Sequence, residues 1–149
     1  MLKYITELEF IDTDIPLLFQ EKESIFNRKF ALLNFDKSSF KIAWQSDSIE
    51  PEIVKISANI YSVGVDQNFA VIDVTDGSII LKLELFYFFY SVYKLLNRIF
   101  IVTELEIIEL NALTFQVLAE FALPEIFSEF SLNGSNIEVK CIDGTGVAI

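Results

Sequence analysis

The segment Phe30-Ala31-Leu32-Leu33-Asn34-Phe35-Asp36-Lys37-Ser38-Ser39-Phe40 aligns without a gap on Phe69-Ala70-Val71-Ile72-Asp73-Val74-Thr75-Asp76-Gly77-Ser78-Ile79. A third copy, Leu105-Glu106-Ile107-Ile108-Glu109-Leu110-Asn111, follows with a longer turn before Phe115. In that alignment Asn34, Asp73 and Glu109 share a position. An independent register agrees, because Pro51-Glu52-Ile53 returns as Pro124-Glu125-Ile126. Self-similarity at a period of about 37 residues means an array of supersecondary units.

Apolar residues alternate with polar ones every second position, the period of a half-buried strand. Phe30–Phe35 and Phe40–Trp44 read as a hairpin across Asp36-Lys37-Ser38-Ser39, and Phe69–Val74 and Ile79–Leu85 as another across Thr75-Asp76-Gly77-Ser78. Asp-Gly favours such a turn because both residues tolerate positive φ. A further strand pair precedes each hairpin, as in Ile53–Ser57 with Tyr61–Val65, and Phe89–Lys94 with Ile99–Val102. Ile126–Ser131 and Ile137–Ile142 begin the last unit. The units run Ile15–Ser46, Pro51–Phe86, Phe89–Leu123 and Ile126–Ile149.

This pattern resembles the four-stranded blade of a β-propeller. The Gly-His and Trp-Asp signatures of the tryptophan–aspartate-repeat family are missing, since the chain has no histidine and Trp44 precedes Gln45. The resemblance is to an architecture and implies an all-β, propeller-like fold with about four small blades. A twisted β-meander or a β-sandwich is the alternative. No stretch reads as a linker, so residues 1–149 are expected to form a single all-β repeat domain. The last unit lacks one strand, while Leu2–Phe10 alternates like a spare one. Pairing the two would complete a blade and close a ring, removing open sheet edges. The segment Ile15–Arg28 is the least regular and could hold a helical turn.

The chain carries 11 basic and 22 acidic residues, a net charge of −11. Such a chain repels phosphate backbones and gains nothing from an anionic membrane surface. A basic protein is the partner this charge could steer, although acidity also keeps soluble a domain that is 52% apolar. One cysteine, Cys141, excludes an internal disulfide and points to a reducing, cytoplasmic setting. No signal peptide is evident. The most apolar window, Ile79–Leu96, is interrupted by Lys82, Glu84 and Lys94, against a membrane span.

Catalytic constellations are scarce. Without histidine, the usual general base and the commonest neutral metal ligand are missing. Cys141 alternates with Ile137 and Val139, which suits a buried structural thiol. Glu104 and Glu106 sit two apart, as carboxylates sharing a solvated strand face do. No cofactor, metal site or catalytic residue is expected.

Turn placement carries the functional signal. In four-stranded blades the links between strands two and three, and those between blades, emerge on one face. That face would collect Asp12, Asp14, Asp47, Glu50, Asp66, Glu104 and Asp143; the opposite one would hold Glu21, Lys22, Glu23 and mixed turns. The aromatic run Phe86–Tyr93 joins two units near the acidic face, and Tyr87 could anchor a partner. A small, acidic, histidine-free chain also resembles bacterial immunity proteins that neutralise cationic toxins. The expectation is a non-enzymatic domain that masks a basic partner, possible toxins included. The competing one is a structural subunit that associates with itself through apolar surface or sheet edges.

Overall fold

A computed structural model describes residues 1–21, 28–45 and 49–149. The chain divides into two compact units, Met1–Phe86 and Tyr87–Ile149. The first contains β1 (Leu2–Tyr4), α1 (Glu7–Asp12), β2 (Leu17–Gln20), β3 (Lys29–Asn34), β4 (Ser39–Trp44), β5 (Glu52–Lys55), β6 (Ile60–Val65), β7 (Asn68–Asp73) and β8 (Ser78–Glu84). They form two four-stranded sheets, ordered β1-β3-β4-β2 and β5-β6-β7-β8. The second unit contains β9 (Phe89–Leu95), β10 (Arg98–Thr103), β11 (Glu106–Asn111), β12 (Val117–Ala122), β13 (Phe127–Asn133), β14 (Asn136–Cys141) and β15 (Gly146–Ala148). Its sheets run β12-β11-β10-β9 and β13-β14-β15. The fold is all-β, built from repeated, largely four-stranded antiparallel sheets, and the expected hairpins are present. Among the described residues, no helix is long and apolar enough to cross a membrane.

Alternation explains the packing. In the first unit, Leu33, Phe40, Ile42 and Trp44 of one sheet meet Val63, Val65, Ala70 and Ile72 of the other in one buried cluster. In the second, Phe100, Val102 and Ile107 pack with Phe127, Ile137, Val139 and Cys141. Cys141 is thus a core residue, as its strand position suggested. A stacked pair, Tyr93 on Phe130 with centroids 4.4 Å apart, joins the same two sheets. The edge strands β8 and β12 stay largely exposed.

The N-terminal expectation is corrected. Leu2–Phe10 is not one strand: β1 ends at Tyr4, and the helix α1 begins after Thr6. Thr6, Glu7, Leu8 and Glu9 form a capping box, with the Thr6 hydroxyl accepting from the Glu9 amide at 3.2 Å. The Glu9 carboxylate accepts in turn from the Thr6 amide. At the other helix end Lys41 Nζ donates to the carbonyls of Phe10 (2.8 Å) and Thr13 (3.1 Å). Phe10 anchors the helix against Phe30 and Ala43. Ring closure through this segment also fails, since β1 pairs with β3, Tyr4 opposite Ala31. The crossover through α1 brings β2 back parallel to β4. Among the described residues the helix therefore lies before Ile15, and residues 22–27 of the segment Ile15–Arg28 lie outside them.

The third repeat is shifted. Asn34 and Asp73 close β3 and β7, and the residue that closes β11 is Asn111, not Glu109. Asp73 Oδ1 accepts from the Thr75 amide and Asn111 Oδ1 from those of Leu113 and Thr114, so these residues fold the hairpin turns. In the Asp76-Gly77 turn, positive φ falls on Gly77 (75°) alone. Glu109 is buried and bound to Arg98, whose guanidinium lies 4.7 Å from the Phe100 ring centre.

Thr6 separates helix from strand experimentally. Thr6→Ala should lower stability by about 1 kcal/mol, and Thr6→Asp, an equally good cap, should recover most of it. Thermal melts of the three proteins check this; a strand there would make aspartate the worse substitution.

Candidate functional site

Three backbone hydrogen bonds tie together the turns at one end of the second unit. The Glu104 amide donates to the Phe88 carbonyl (3.0 Å), the Phe127 amide to the Glu104 carbonyl (2.8 Å), and the Ile142 amide to the Ile126 carbonyl (2.8 Å). This end gathers Glu104, Glu125 and Asp143 with two exposed apolar side chains, Phe88 (44%) and Ile142 (62%). Tyr87 is half-buried beside Phe88 in sequence, while Phe89 is buried. The Asp143 carboxylate accepts from the Thr145 hydroxyl and amide, which hold its pKa below the usual aspartate range and keep it ionised. The turns at the other end, residues 96–97, 112–116 and 134–135, contain no acidic residue. Charge is polarised along this unit.

Of the expected docking residues, this end unites Tyr87, Glu104 and Asp143. Glu125 joins them and was missed, although the repeated Pro-Glu-Ile triplet had marked it. Glu104 and Glu106 do not share a strand face. Glu104 lies in the turn, while Glu106 opens β11, where its carbonyl accepts from the Thr103 hydroxyl. Burial, and then the nearby Glu120 charge, raise the Glu106 pKa.

The first unit does not gather the remaining set. Asp66 is only 3% exposed, so it is no docking group. It occupies a left-handed turn (φ 50°), and its carboxylate accepts from the Gln45 amide at 2.9 Å. Glu50 is exposed and accepts from the Tyr4 hydroxyl at 2.7 Å, which raises the Tyr4 pKa. Asp12 and Asp14 are exposed but flank Thr13, whose carbonyl binds Lys41 midway along β4, away from the Asp66 turn. Asp47, Lys22 and Glu23 lie outside the described residues. A groove of about 490 Å³ at the other end of these sheets, lined by Phe35, Lys37, Lys55 and Tyr61, contains none of the expected residues.

Glu21 reverses its expected placement. Because β2 runs parallel to β4, its end reaches the Asp66-Gln67 turn instead of the opposite end. Glu21 Oε1 accepts from the Gln67 amide (3.3 Å) and from Asn68 Nδ2 (2.7 Å). Burial pushes its pKa up most, with Asp66 and Glu84 adding repulsion against these two hydrogen bonds. Among the described residues, no three His, Cys, Asp or Glu side chains converge to hold a metal.

No protein-family model matches the chain. No curated protein matches it either. Among solved structures, the chain is similar to the computationally designed Ika4 protein, with 14% identity, 92% of each chain covered and a TM-score of 0.54. It is also similar to BamB from Moraxella catarrhalis, a propeller, at 10% identity and a TM-score of 0.50. That match covers 85% of this chain and 41% of BamB. Both are likenesses of fold, and the sheets here are propeller-like.

Glu21 generates a pH prediction. A carboxyl with a raised folded pKa favours the folded state below the unfolded pKa, and that contribution is lost as pH rises through the folded one. Glu21→Gln should therefore gain in thermal midpoint relative to the parent as pH is raised from 4 to 7. A difference that stays flat across that range would show that the Glu21 charge carries no penalty.

Proposed function

We propose that the chain is a non-enzymatic protein-binding domain whose carboxylate-bearing end, in the Tyr87–Ile149 unit, masks a basic protein partner. The observation that supports this most is the gathering of Glu104, Glu125 and Asp143 around Phe88 and Ile142, on turns held by backbone hydrogen bonds. Fixed carboxylates attract a cationic surface over a distance and set the rate of encounter. Exposed apolar side chains among them add contact area that slows separation. A net charge of −11 extends the attraction over the whole chain. In its most specific form, the partner is a cationic toxin whose Lys and Arg side chains are covered, in a reducing cytoplasm suited to the single thiol of Cys141.

Protamine, an arginine-rich protein, serves as a probe. Glu104→Lys with Glu125→Lys and Asp143→Asn should slow its association by about tenfold at low salt and flatten the salt dependence. Reversing Asp36 and Asp76, acidic residues in turns of the first unit, should do much less. Equal effects of the two sets would reduce the attraction to net charge alone and refute a docking end.

A second reading, self-assembly, draws on the strongly exposed Leu8 (72%) and Phe86 (87%) in the first unit and Leu96 (88%) and Leu113 (84%) in the second. It requires a mass that grows with concentration in sedimentation runs at two loadings. The basic-partner reading requires a constant mass.

A further inference from the structure

We infer that the outer edge of β15 is a strand-addition site for an extended, basic segment of a partner, a reading that rests on the proposed basic partner and specifies how it is held. Three of the sheets have four strands, whereas β13-β14-β15 has three among the described residues. Among the described residues, its third strand is bonded on one side only. The Cys141 amide donates to the Thr145 carbonyl (2.9 Å), Val139 pairs with Val147, and the Ile149 amide donates to the Ile137 carbonyl (3.1 Å). Strand alternation then turns the N–H and C=O groups of Gly146 and Ala148 outward, and both residues are exposed.

Other edges carry protection that β15 lacks. β8 bears Lys82 and Glu84 and faces a register shift at Val71/Ile72; β12 bears Glu120 and faces one at Glu109/Leu110. β1 bears Lys3, and the β2 pairing is itself irregular. Charges and bulges of this kind keep foreign strands away. Gly146, Val147 and Ala148 offer no charge, proline or bulge. Shortness is the only protection β15 has, and bonding to β14 extends the extended run from Thr145 to Ile149.

The two faces of this edge select the occupant. Val147 and Ile149 pack on the buried cluster of the unit, so a strand laid alongside needs an apolar residue opposite Val147. On the other face Gly146 and Ala148 are small and leave open the row behind them, where Glu138 stands opposite Ala148 and Lys140 opposite Gly146. A Lys or Arg opposite Ala148 reaches toward Glu138, and Asp143 lies at the entry to the strand. The segment that fits sets an apolar residue opposite Val147, a Lys or Arg opposite Ala148 and an uncharged residue opposite Gly146, where Lys140 would repel a second cation, and its main chain supplies the bonds to Gly146 and Ala148. A second copy of this chain would bring another −11 charges to the same edge, which disfavours it.

The probe is a capped octapeptide in which Val alternates with Lys and Ser in turn (the Lys/Val peptide), with Glu in place of Lys as its control (the Glu/Val peptide). On adding the Lys/Val peptide to the full chain, amide exchange at Gly146 and Ala148 should slow by about tenfold or more, with Val147 little changed. Ala148→Pro removes one outward donor but spares the inward bonds of Val147 and Ile149, so it should weaken the peptide at least about tenfold with the melting midpoint kept. Unprotected Gly146 and Ala148 amides in the parent would overturn the inference without reference to any variant. So would equal binding of the Glu/Val peptide, or a dimer of the chain that Ala148→Pro abolishes. If the protamine effect of the Glu104, Glu125 and Asp143 variant holds while the peptide fails, the edge is refuted and the docking end stands. If the peptide binds while that variant leaves protamine unaffected, the docking end is refuted instead.

Discussion

Apolar side chains alternate along the hairpin strands of each unit, and burying them requires a second sheet across from the first. Phe40, Ile42 and Trp44 find Val63, Val65 and Ile72; Phe100, Val102 and Ile107 find Phe127, Ile137 and Val139. Burial of a large apolar side chain is worth about 1.5–3 kcal/mol, so these rows hold each sheet pair together. Everything at the surface inherits its position from that packing. Once strands stack face to face, the links between them emerge at fixed ends.

In the second unit this ordering reaches the turns. Three backbone hydrogen bonds join four successive links, and the main chain that bears these carboxylates is fixed by them. Preorganised charge of this kind loses little freedom on meeting a partner. The first unit spends its acidic residues differently. Asp66 supports a left-handed turn and a neighbouring amide, Glu21 bridges β2 to the β7 start, and Glu50 binds Tyr4. The two units are alike in sheet architecture and unlike in what they do with charge.

The strands were legible because a two-residue period with turn residues at repeated offsets admits few readings. The helix α1 was misread because Leu8 and Phe10 also fit that period, although Thr6 and Glu9 carried the capping signature. That error propagated: an antiparallel β2 would have put Glu21 at one end and Asp12 and Asp14 at the other, and the parallel pairing exchanges them. Glu109 was aligned with Asp73 because the third copy is offset, which only the turn-closing bonds of Asn111 reveal. The surroundings of Asp66 include the Gln45 amide and the Glu21 charge, both far away in sequence. Cys141 was readable, since its alternation with Ile137 and Val139 decides its face.

The central claim is that a basic partner rests on the Glu104, Glu125 and Asp143 end. Carbodiimide labelling of carboxylates, read by mass spectrometry with and without a bound cationic protein, tests it residue by residue. Protection concentrated at those three, with Asp36 and Asp76 still labelled, is the expected pattern. Protection spread evenly over all exposed carboxylates, or absent from those three, would contradict it.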